Sequence, residues 1–137
     1  MKVFYLFALQ WNRMTNNHTV HGLWPQFTDH KWPEYCFHSI FNTSVIQDLI
    51  PTLNAIWPSI ETRGLDECDF SDKNRYDNVN FWKHEWLRHG TCNYNHLDEY
   101  HYFSKVIDLY NEYGYNYKCH PHHACFVKFD TSFEVME

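Results

Sequence analysis

Residues 81–92 read Phe-Trp-Lys-His-Glu-Trp-Leu-Arg-His-Gly-Thr-Cys, and they predict a short helix over 81–89 with an unusual polar face. Asn80 suits the N-cap position, and Gly90 suits the position that follows the last turn. At 100° per residue, one side of this helix carries an aromatic ring, an imidazole, a carboxylate and a guanidinium, from Phe81, His84, Glu85 and Arg88. His89 follows Glu85 by four positions, so its ring reaches the same rim. A buried core excludes such a set because each buried polar group needs a partner, whereas an ordinary surface would tolerate it and a functional site would use it.

The segments on either side predict strands at both ends of the chain and helices between them. Residues 2–11 are apolar and aromatic, which favours a buried strand, and closing strands are predicted over residues 125–129 and 133–136. Residues 12–19 and 63–78 are polar and predict loops. This arrangement indicates the α+β fold class.

Two further helices are predicted between those strands. The first covers residues 45–57, where apolar side chains recur every four positions, with Pro51 either in an early turn or at a kink. The second covers residues 97–113 and ends at Gly114. Its inner stripe is expected to consist of Leu97, Tyr100, Phe103, Ile107 and Tyr110.

Length, composition and charge restrict the class of protein. The chain has 137 residues, which suits one domain over residues 1–137. Hydrophobic residues make up 44% and aromatic residues 20%, which excludes a disordered chain, a coiled coil or a collagen-like repeat. No stretch approaches the roughly 20 consecutive apolar residues of a membrane-spanning helix.

The formal charge of −6 disfavours a protein that binds duplex DNA mainly through its phosphates. Protonation of all eleven histidines would bring that charge to +5, so a polyanion would be repelled near pH 7 and attracted near pH 5.

Five cysteines, widely spaced in a small aromatic-rich chain, indicate disulfides and an oxidising compartment. They are Cys36, Cys68, Cys92, Cys119 and Cys125. None forms a Cys-x-x-Cys pair, which speaks against a zinc ribbon or a thioredoxin-like motif, and the spacing leaves the pairing open. Glycosylation sequons at Asn17 and Asn42 agree with secretion. The apolar N-terminal run lacks a small-residue cleavage site, so we interpret it as a strand and expect no signal peptide in this chain.

The polar face of residues 81–92 suits general acid–base phosphoryl transfer better than other reactions. A zinc-protease helix has histidines four positions apart, whereas His84 and His89 are five apart, about 140° from one another. A Gly-x-Ser-x-Gly nucleophile motif is missing from the sequence. In acid–base phosphoryl transfer one imidazole takes a proton from the attacking oxygen, another protonates the leaving oxygen, and Arg88 holds the phosphate. RNA supplies its own nucleophile, the 2′-hydroxyl, so this reaction needs no metal or other cofactor and cannot act on DNA.

Residues 21–25, His-Gly-Leu-Trp-Pro, together with residues 81–92 resemble the two active-site segments of the ribonuclease T2 family. Further similar stretches are residues 9–11, 49–53, 57–59 and 125–130. The resemblance covers most of residues 3–136. It implies a ribonuclease T2-like fold, with a mainly antiparallel central sheet flanked by helices, in a compact member whose C-terminal region is shortened.

The resemblance also implies catalytic roles. His21 and His89 would form the acid–base pair, usually with His89 as base and His21 as acid, an order that the sequence alone leaves open. Glu85 and Arg88 would stabilise the pentacoordinate phosphate. Arg88 replaces the commoner lysine, which keeps the charge but changes the hydrogen-bond geometry. His84 would hold the phosphate.

Three residues would bind the substrate in the family's manner. Phe81 would stack on a base, and Gln10 would contact the RNA from the first strand. Trp24 would line the other base site, unless it belongs to the core. Gln26 follows Pro25 at a position that bears on base preference, which stays open.

The family implies a disulfide between Cys36 and Cys92, which would tie the two halves of the site together. Cys119 and Cys125 could pair locally, or Cys125 could have a partner beyond residue 137. Cys68 has no obvious partner.

The leading hypothesis is an acid-active endoribonuclease of broad base specificity that cuts single-stranded RNA through a 2′,3′-cyclic phosphate to 3′-phosphate products. We expect a monomer without a metal, cofactor or membrane partner, in a secreted or an acidic lysosomal or vacuolar location. A second hypothesis is a secreted RNA-binding or signalling protein that keeps the fold without turnover. A third is a metal site at residues 120–123, His-Pro-His-His.

Overall fold

The structure, a computed structural model, describes residues 2–60, 78–114 and 119–136. Cys68 and residues 63–77 of the predicted loop lie outside these residues. Within the described part of the chain, helices pack around a three-stranded antiparallel sheet, which confirms the expected α+β class.

The sheet is built on β1, Val3–Asn12, which is the strand expected over residues 2–11. It pairs antiparallel with β2, Asn17–Phe27, on one side and with β3, Cys125–Phe129, on the other. Strand β3 has its predicted bounds. The segment expected as a strand over residues 133–136 makes one bridge to the end of β3 instead of pairing along its length, which corrects that prediction.

The first part of β2 corrects the prediction of a loop over residues 12–19. Only residues 13–16 turn, with Asn16 in the left-handed conformation at φ 54°, and residues 17–19 already pair with β1. These polar residues have modest strand propensity, but pairing with β1 satisfies their backbone groups. Pro25 is tolerated because β2 is an edge strand of the described sheet.

Two short helical segments replace the single helix predicted over residues 45–57. A 3-10 helix covers Thr43–Leu49, and α1 covers Ile50–Ile56. Pro51 lies in the first turn of α1, so the early-turn alternative is confirmed. Because Pro51 has no N–H for a continuous helical ladder, the preceding turns form a separate segment.

Helix α2 spans Asn78–Arg88 and already includes the three described residues before its predicted start. Asn80 therefore lies within the helix and is not the N-cap. Val79 packs against the core, which stabilises the additional turn. Gly90 follows the helix as expected, but its role is steric, because a Cβ there would overlap the ring of Trp86.

Helix α3 spans Glu99–Tyr113, and the carboxylate of Asp98 caps it by accepting a hydrogen bond from the His101 N–H at 2.9 Å. Gly114 is the C-cap, as expected. The buried stripe is shifted from the predicted one and consists of Glu99, Tyr102, Phe103, Val106, Leu109 and Tyr110. The predicted members Leu97, Tyr100 and Ile107 are only partly buried. Contacts with the sheet set the rotation of the helix: the Tyr102 hydroxyl donates to the Leu23 carbonyl at 2.9 Å.

Aromatic side chains fill the core between the sheet and the helices. Tyr5 and Phe7 of β1 and the two tryptophans Trp57 and Trp82 are fully buried. The Trp82 indole donates to the Trp57 carbonyl at 2.7 Å, and the Trp57 indole donates to the His21 carbonyl at 3.0 Å. This chain of hydrogen bonds links α2, the end of α1 and β2. The longest described helix, α3, has 15 residues, and none of the described helices has the length and apolarity of a bilayer-crossing segment.

Two disulfides cross-link the described part of the chain. Cys36 and Cys92 have Cα atoms 5.1 Å apart, which confirms the pairing that the resemblance implies. Cys119 and Cys125 have Cα atoms 5.4 Å apart, which confirms the local alternative. The first disulfide joins the loop after β2 to the turn after α2, so it links the chain that follows residues 21–25 to the end of residues 81–92.

We expect the double variant Cys36→Ala/Cys92→Ala to lose about 4 kcal/mol of unfolding free energy, because this bridge joins residues 56 positions apart. The matched control, Cys119→Ala/Cys125→Ala, opens a bridge between residues six positions apart and should lose about 2 kcal/mol. Urea unfolding followed by tryptophan fluorescence measures both losses. A control loss equal to or greater than that of the first variant would contradict the expectation.

Candidate active site

An open cavity of about 420 Å³ lies between β2 and α2. Seven of the eight predicted catalytic and substrate-binding residues line it, namely His21, Trp24, Phe81, His84, Glu85, Arg88 and His89. The eighth, Gln10, is not among the lining residues. Its side-chain amide donates to the carbonyls of Val20, at 3.1 Å, and Pro58, at 3.3 Å, so it ties β1 to β2 and to the end of α1.

A β-bulge places His21. On β1, Ala8 and Leu9 are consecutive, but their partners on β2 are Gly22 and Val20, so His21 is the extra residue. A bulge bends the strand locally and redirects the side chain at that position, a device that is frequent next to functional sites. The His21 ring lies in the cavity wall, 5.9 Å from the ring of Phe81 on α2.

The indole of Trp24 contacts both candidate acid–base imidazoles. Its ring centroid lies 4.9 Å from that of His21, edge to face, and 5.2 Å from that of His89, in a stacked arrangement. Its Nε1–H donates to Glu85 Oε1 at 3.1 Å. Trp24 is half-buried and so belongs both to the packing of the site and to the cavity wall. One side chain thereby fixes the relative positions of three others.

Gly22 makes this arrangement possible. A Cβ on Gly22 would overlap the Nε1 atom of Trp24 and the Oε1 atom of Glu85. The glycine therefore lets β2 approach α2 closely enough for the tryptophan–carboxyl hydrogen bond to form. The structure thus explains why residue 22 is a glycine, which the sequence alone did not.

Burial governs the protonation of Glu85 and His89. The Glu85 side chain is 2% exposed, and burial raises its pKa to about 8, although the Trp24 hydrogen bond and the Arg88 charge act in the opposite direction. Burial lowers the pKa of His89 to about 3, with the charges of Arg88, His84 and His21 acting in the same direction. Both groups therefore favour their neutral forms. Glu85 Oε2 and His89 Nε2 are 3.7 Å apart, which is too far for a hydrogen bond, so this contact does not offset the cost of burying two charges.

The cavity rim carries the more exposed polar groups. His84 reaches solvent, and the partial burial of its ring and the nearby Arg88 charge lower its pKa. Arg88 is partly exposed, and its Nε donates to Glu34 Oε2 at 2.8 Å. The cavity thus combines a cation, three imidazoles and a protonated carboxyl group.

Three lining residues were not identified from the sequence: Leu6, Trp32 and Phe126. Leu6 and Phe126 lie on neighbouring strands, and Trp32 follows β2. Trp32 and Phe126 are about half exposed, with 48% and 55% of their surface accessible. Aromatic residues in or shortly after the resembling segments were the sequence signal that could have indicated Trp32 and Phe126, whereas nothing in the sequence singled out Leu6. Gln26 also lines the cavity.

The histidine-rich residues 120–123 do not form a metal centre. No group of three or more His, Cys, Asp or Glu side chains suited to a metal ion occurs in the described residues, which include this segment. The His122 ring packs 4.8 Å from Trp11, and the carbonyl of His123 bonds to the His18 ring at 2.7 Å. The third hypothesis therefore has no structural support.

Comparison with known proteins places these features in a family context. The model of the Ribonuclease T2 family matches residues 3–120. Ribonuclease DdI from Dictyostelium discoideum is 35% identical over 125 residues, which cover 81% of this chain and 50% of that protein. Intracellular ribonuclease LX from Solanum lycopersicum is 40% identical over 92 residues, which cover 66% and 33%. The chain therefore spans half or less of the length of these curated relatives.

Solved structures share the fold. Ribonuclease MC1 from bitter gourd seeds superposes with a TM-score of 0.64 at 28% identity, covering 82% of this chain and 59% of that one. RNase NT, solved in complex with 5′-AMP, gives 0.64 at 31% identity, covering 83% and 58%. An RNase-related protein from Calystegia sepium gives 0.74 at 22% identity, covering 98% and 89%, a likeness that concerns the fold alone.

We expect Glu85→Gln to stabilise the protein at alkaline pH. Because the folded-state pKa of Glu85 is raised, its contribution to stability is complete below the ordinary value near 4.5 and is lost as the pH rises through about 8. The variant should match the wild type at pH 4 and exceed it at pH 8.5 by roughly 2–4 kcal/mol of unfolding free energy.

Urea unfolding at both pH values measures the difference. Glu112→Gln on the exposed face of α3 is the matched control and should change little. A constant difference between wild type and Glu85→Gln across this pH range would show that the folded-state pKa of Glu85 is not raised, which would contradict the expectation.

Proposed function

Since the chain belongs to the ribonuclease T2 family, we propose that it is an endoribonuclease that cuts single-stranded RNA in the cavity between β2 and α2. The observation that carries the proposal is the contact of one indole, Trp24, with two imidazoles from segments more than 60 residues apart. Cleavage of a phosphodiester needs one group that takes a proton from the attacking oxygen and another that gives a proton to the leaving oxygen. Two imidazoles that line the same cavity can fill these two roles.

His89 suits the role of general base in the first step. Its lowered pKa keeps the ring neutral in weak acid, so it can accept the proton of the 2′-hydroxyl as that oxygen attacks the phosphorus. His21 then donates a proton to the departing 5′-oxygen, which leaves a 2′,3′-cyclic phosphate. In the second step the roles reverse: His21 takes a proton from water, His89 returns its proton to the 2′-oxygen, and a 3′-phosphate results.

Arg88, His84 and Glu85 suit the stabilisation of the charged phosphate. The guanidinium of Arg88 offers fixed N–H donors to the nonbridging oxygens, and His84 at the rim can hold the same group. The raised pKa of Glu85 keeps its carboxyl protonated in acid, so it can donate a hydrogen bond and does not repel the phosphate. No metal is needed for any of these steps.

The aromatic side chains suit base binding without strong sequence preference. Phe81 lines the cavity beside His21 and offers a face for stacking, which is tolerant of base identity. Trp24 can contact a second base only with the part of its ring that the imidazoles leave open. A contact of Gln10 with RNA stays a prediction; its two hydrogen bonds to carbonyl groups use the amide nitrogen, so the side-chain oxygen is the atom that could accept from RNA without breaking them.

Acid activity and an acidic or extracellular location are part of the proposal. Protonation of histidines makes the molecule more attractive to a polyanion as the pH falls. T2 ribonucleases are in general secreted or vacuolar, and the two disulfides agree with an oxidising compartment. We propose a monomer that leaves DNA intact because DNA lacks the attacking 2′-hydroxyl.

A secreted RNA-binding protein without turnover is the alternative. The close packing of two imidazoles against Trp24 argues against it, because a binder has no need of a proton-transfer pair. The variants below separate the two functions, since a binder would keep its RNA affinity and show no cleavage in any form.

We expect His21→Ala and His89→Ala each to lower the rate of RNA cleavage at pH 5 by about 10²- to 10⁴-fold, because each removes one proton-transfer group. Cleavage of single-stranded RNA is measured in a chelator, with DNA of the same sequence in parallel. His101→Ala, on the exposed face of α3, is the matched control and should cleave at the wild-type rate. Intact RNA with the wild-type protein, or equal cleavage of DNA, would overturn the proposal.

We expect kcat/KM for a dinucleotide to follow a bell-shaped pH profile, because one histidine must be neutral while the other is charged. The lowered pKa of His89 places the acid limb well below pH 6.5. Arg88→Gln should move this limb to higher pH, since the Arg88 charge helps to lower that pKa. Lys83→Gln, an exposed residue on the same helix, should leave the limb in place. A flat profile from pH 4 to 8 would contradict the paired-imidazole mechanism.

A further inference from the structure

We propose that Glu34 is a positioning residue that holds the guanidinium of Arg88 against the scissile phosphate, an inference that rests on the proposed function. Glu34 Oε2 accepts a hydrogen bond from Arg88 Nε at 2.8 Å. Arg88 lines the cavity, whereas Glu34 is not one of the lining residues. Glu34 would therefore act on the substrate only through Arg88.

The backbone around Glu34 is fixed to the end of α2. The N–H of Tyr35 donates to the carbonyl of Arg88 at 2.9 Å, and the N–H of Cys36 donates to Thr91 Oγ1 at 3.2 Å. The Cys36–Cys92 disulfide adds a covalent link to the following turn. Three connections thus hold residues 34–36 beside the last turn of the helix.

Tyr35 shows how firmly this segment is held. Its φ is 50°, in the left-handed region, where a bulky side chain costs energy and the surrounding contacts must compensate. An ordinary exposed ion pair contributes little because two long side chains must be ordered. Here the Glu34 backbone is already ordered by its neighbours, so less entropy is lost when the pair forms.

The hydrogen bond to Glu34 and the proposed contact with the phosphate use different nitrogens of Arg88. The bond uses Nε, so the two terminal nitrogens of Arg88, with four N–H donors, are not part of the Glu34 contact. A lysine has a single nitrogen, which would have to serve both the carboxylate and the phosphate. Arginine at this position can be held at one edge of the guanidinium and bind with the other.

Glu34 could instead weaken RNA binding by reducing the positive charge near the cavity. The two roles predict opposite effects of its removal. Loss of a positioning contact lowers kcat/KM, whereas removal of a repulsive charge raises the affinity for RNA, most strongly at low ionic strength.

The experiment compares Glu34→Ala and Glu34→Gln with the wild type, and Arg88→Lys with the double variant Glu34→Ala/Arg88→Lys. Dinucleotide cleavage at pH 5 and fixed ionic strength gives kcat and KM. We expect Glu34→Ala to lower kcat/KM by about two- to fivefold, the range of a well-oriented exposed pair. Glu34→Gln should recover most of the loss, because its side-chain oxygen still accepts from Nε. Removal of Glu34 in the Arg88→Lys background should cause no further loss, since the Nε donor is missing there.

A second measurement does not depend on activity. The solvent exchange rate of the Arg88 Nε–H, followed by NMR, should be slow in the wild type and in Glu34→Gln and fast in Glu34→Ala. Glu112→Ala is the control for the loss of a remote negative charge and should change neither measurement.

The proposal is overturned if Glu34→Ala matches or exceeds the wild type in kcat/KM, if it lowers kcat/KM equally in the Arg88→Lys background, or if the Nε–H exchange is unchanged. Failure of the proposed function looks different, because the wild type itself would then leave RNA intact. In that case the exchange measurement still decides whether Glu34 holds Arg88.

Discussion

The approach of β2 to α2 at Gly22 is the constraint on which the site depends. Without a side chain at this position, the indole of Trp24 reaches Glu85 and donates to its carboxyl group at 3.1 Å. The same indole lies against His21 and His89. A larger residue would overlap Trp24 Nε1 and Glu85 Oε1 and would displace this hydrogen-bonded pair. The need for glycine at position 22 and the position of Trp24 beside Glu85 and the two imidazoles therefore have the same cause, the close packing of β2 on α2.

This close packing also sets the electrostatics of the site. Glu85 and His89 are removed from water, and burial favours the neutral form of each. The same two side chains, placed next to each other on an exposed surface, would favour a charged pair. A neutral imidazole in weak acid is a usable base, and a protonated carboxyl is a hydrogen-bond donor. These are the protonation states that the proposed cleavage of RNA in weak acid would use. Charge remains concentrated at the rim, where Arg88 is accessible.

The loop after β2 contacts the end of α2, beside the site. The Cys36–Cys92 disulfide, together with the backbone hydrogen bonds of Tyr35 and Cys36, fixes this loop to the end of α2. Its consequence for function is the contact between Glu34 and Arg88, which restricts the one cation that lines the cavity in the described residues. The disulfide and the backbone hydrogen bonds that stabilise this loop therefore also place the carboxylate that contacts Arg88.

Local sequence patterns determined the strand β1, the polar face of α2 and the end of α3 at Gly114. They did so because alternation, helical periodicity and capping depend on neighbours along the chain. Residues 21–25 and 81–92 also identified seven of the residues that line the cavity. The start of α2 and the inner stripe of α3 were predicted less well, since Val79 and Tyr102 obtain their places from contacts with distant parts of the core.

Only the tertiary structure decided that polar residues 17–19 form a strand, that His21 occupies a bulge, and that Gln10 faces two carbonyl groups and not the cavity. It alone paired Glu34 with Arg88, although 54 positions separate them. The sequence specified which chemical groups are present and which of them share a local element. The distances and burial between elements, and with them the pKa values of Glu85 and His89, arise from packing between residues far apart along the chain, which no local pattern encodes.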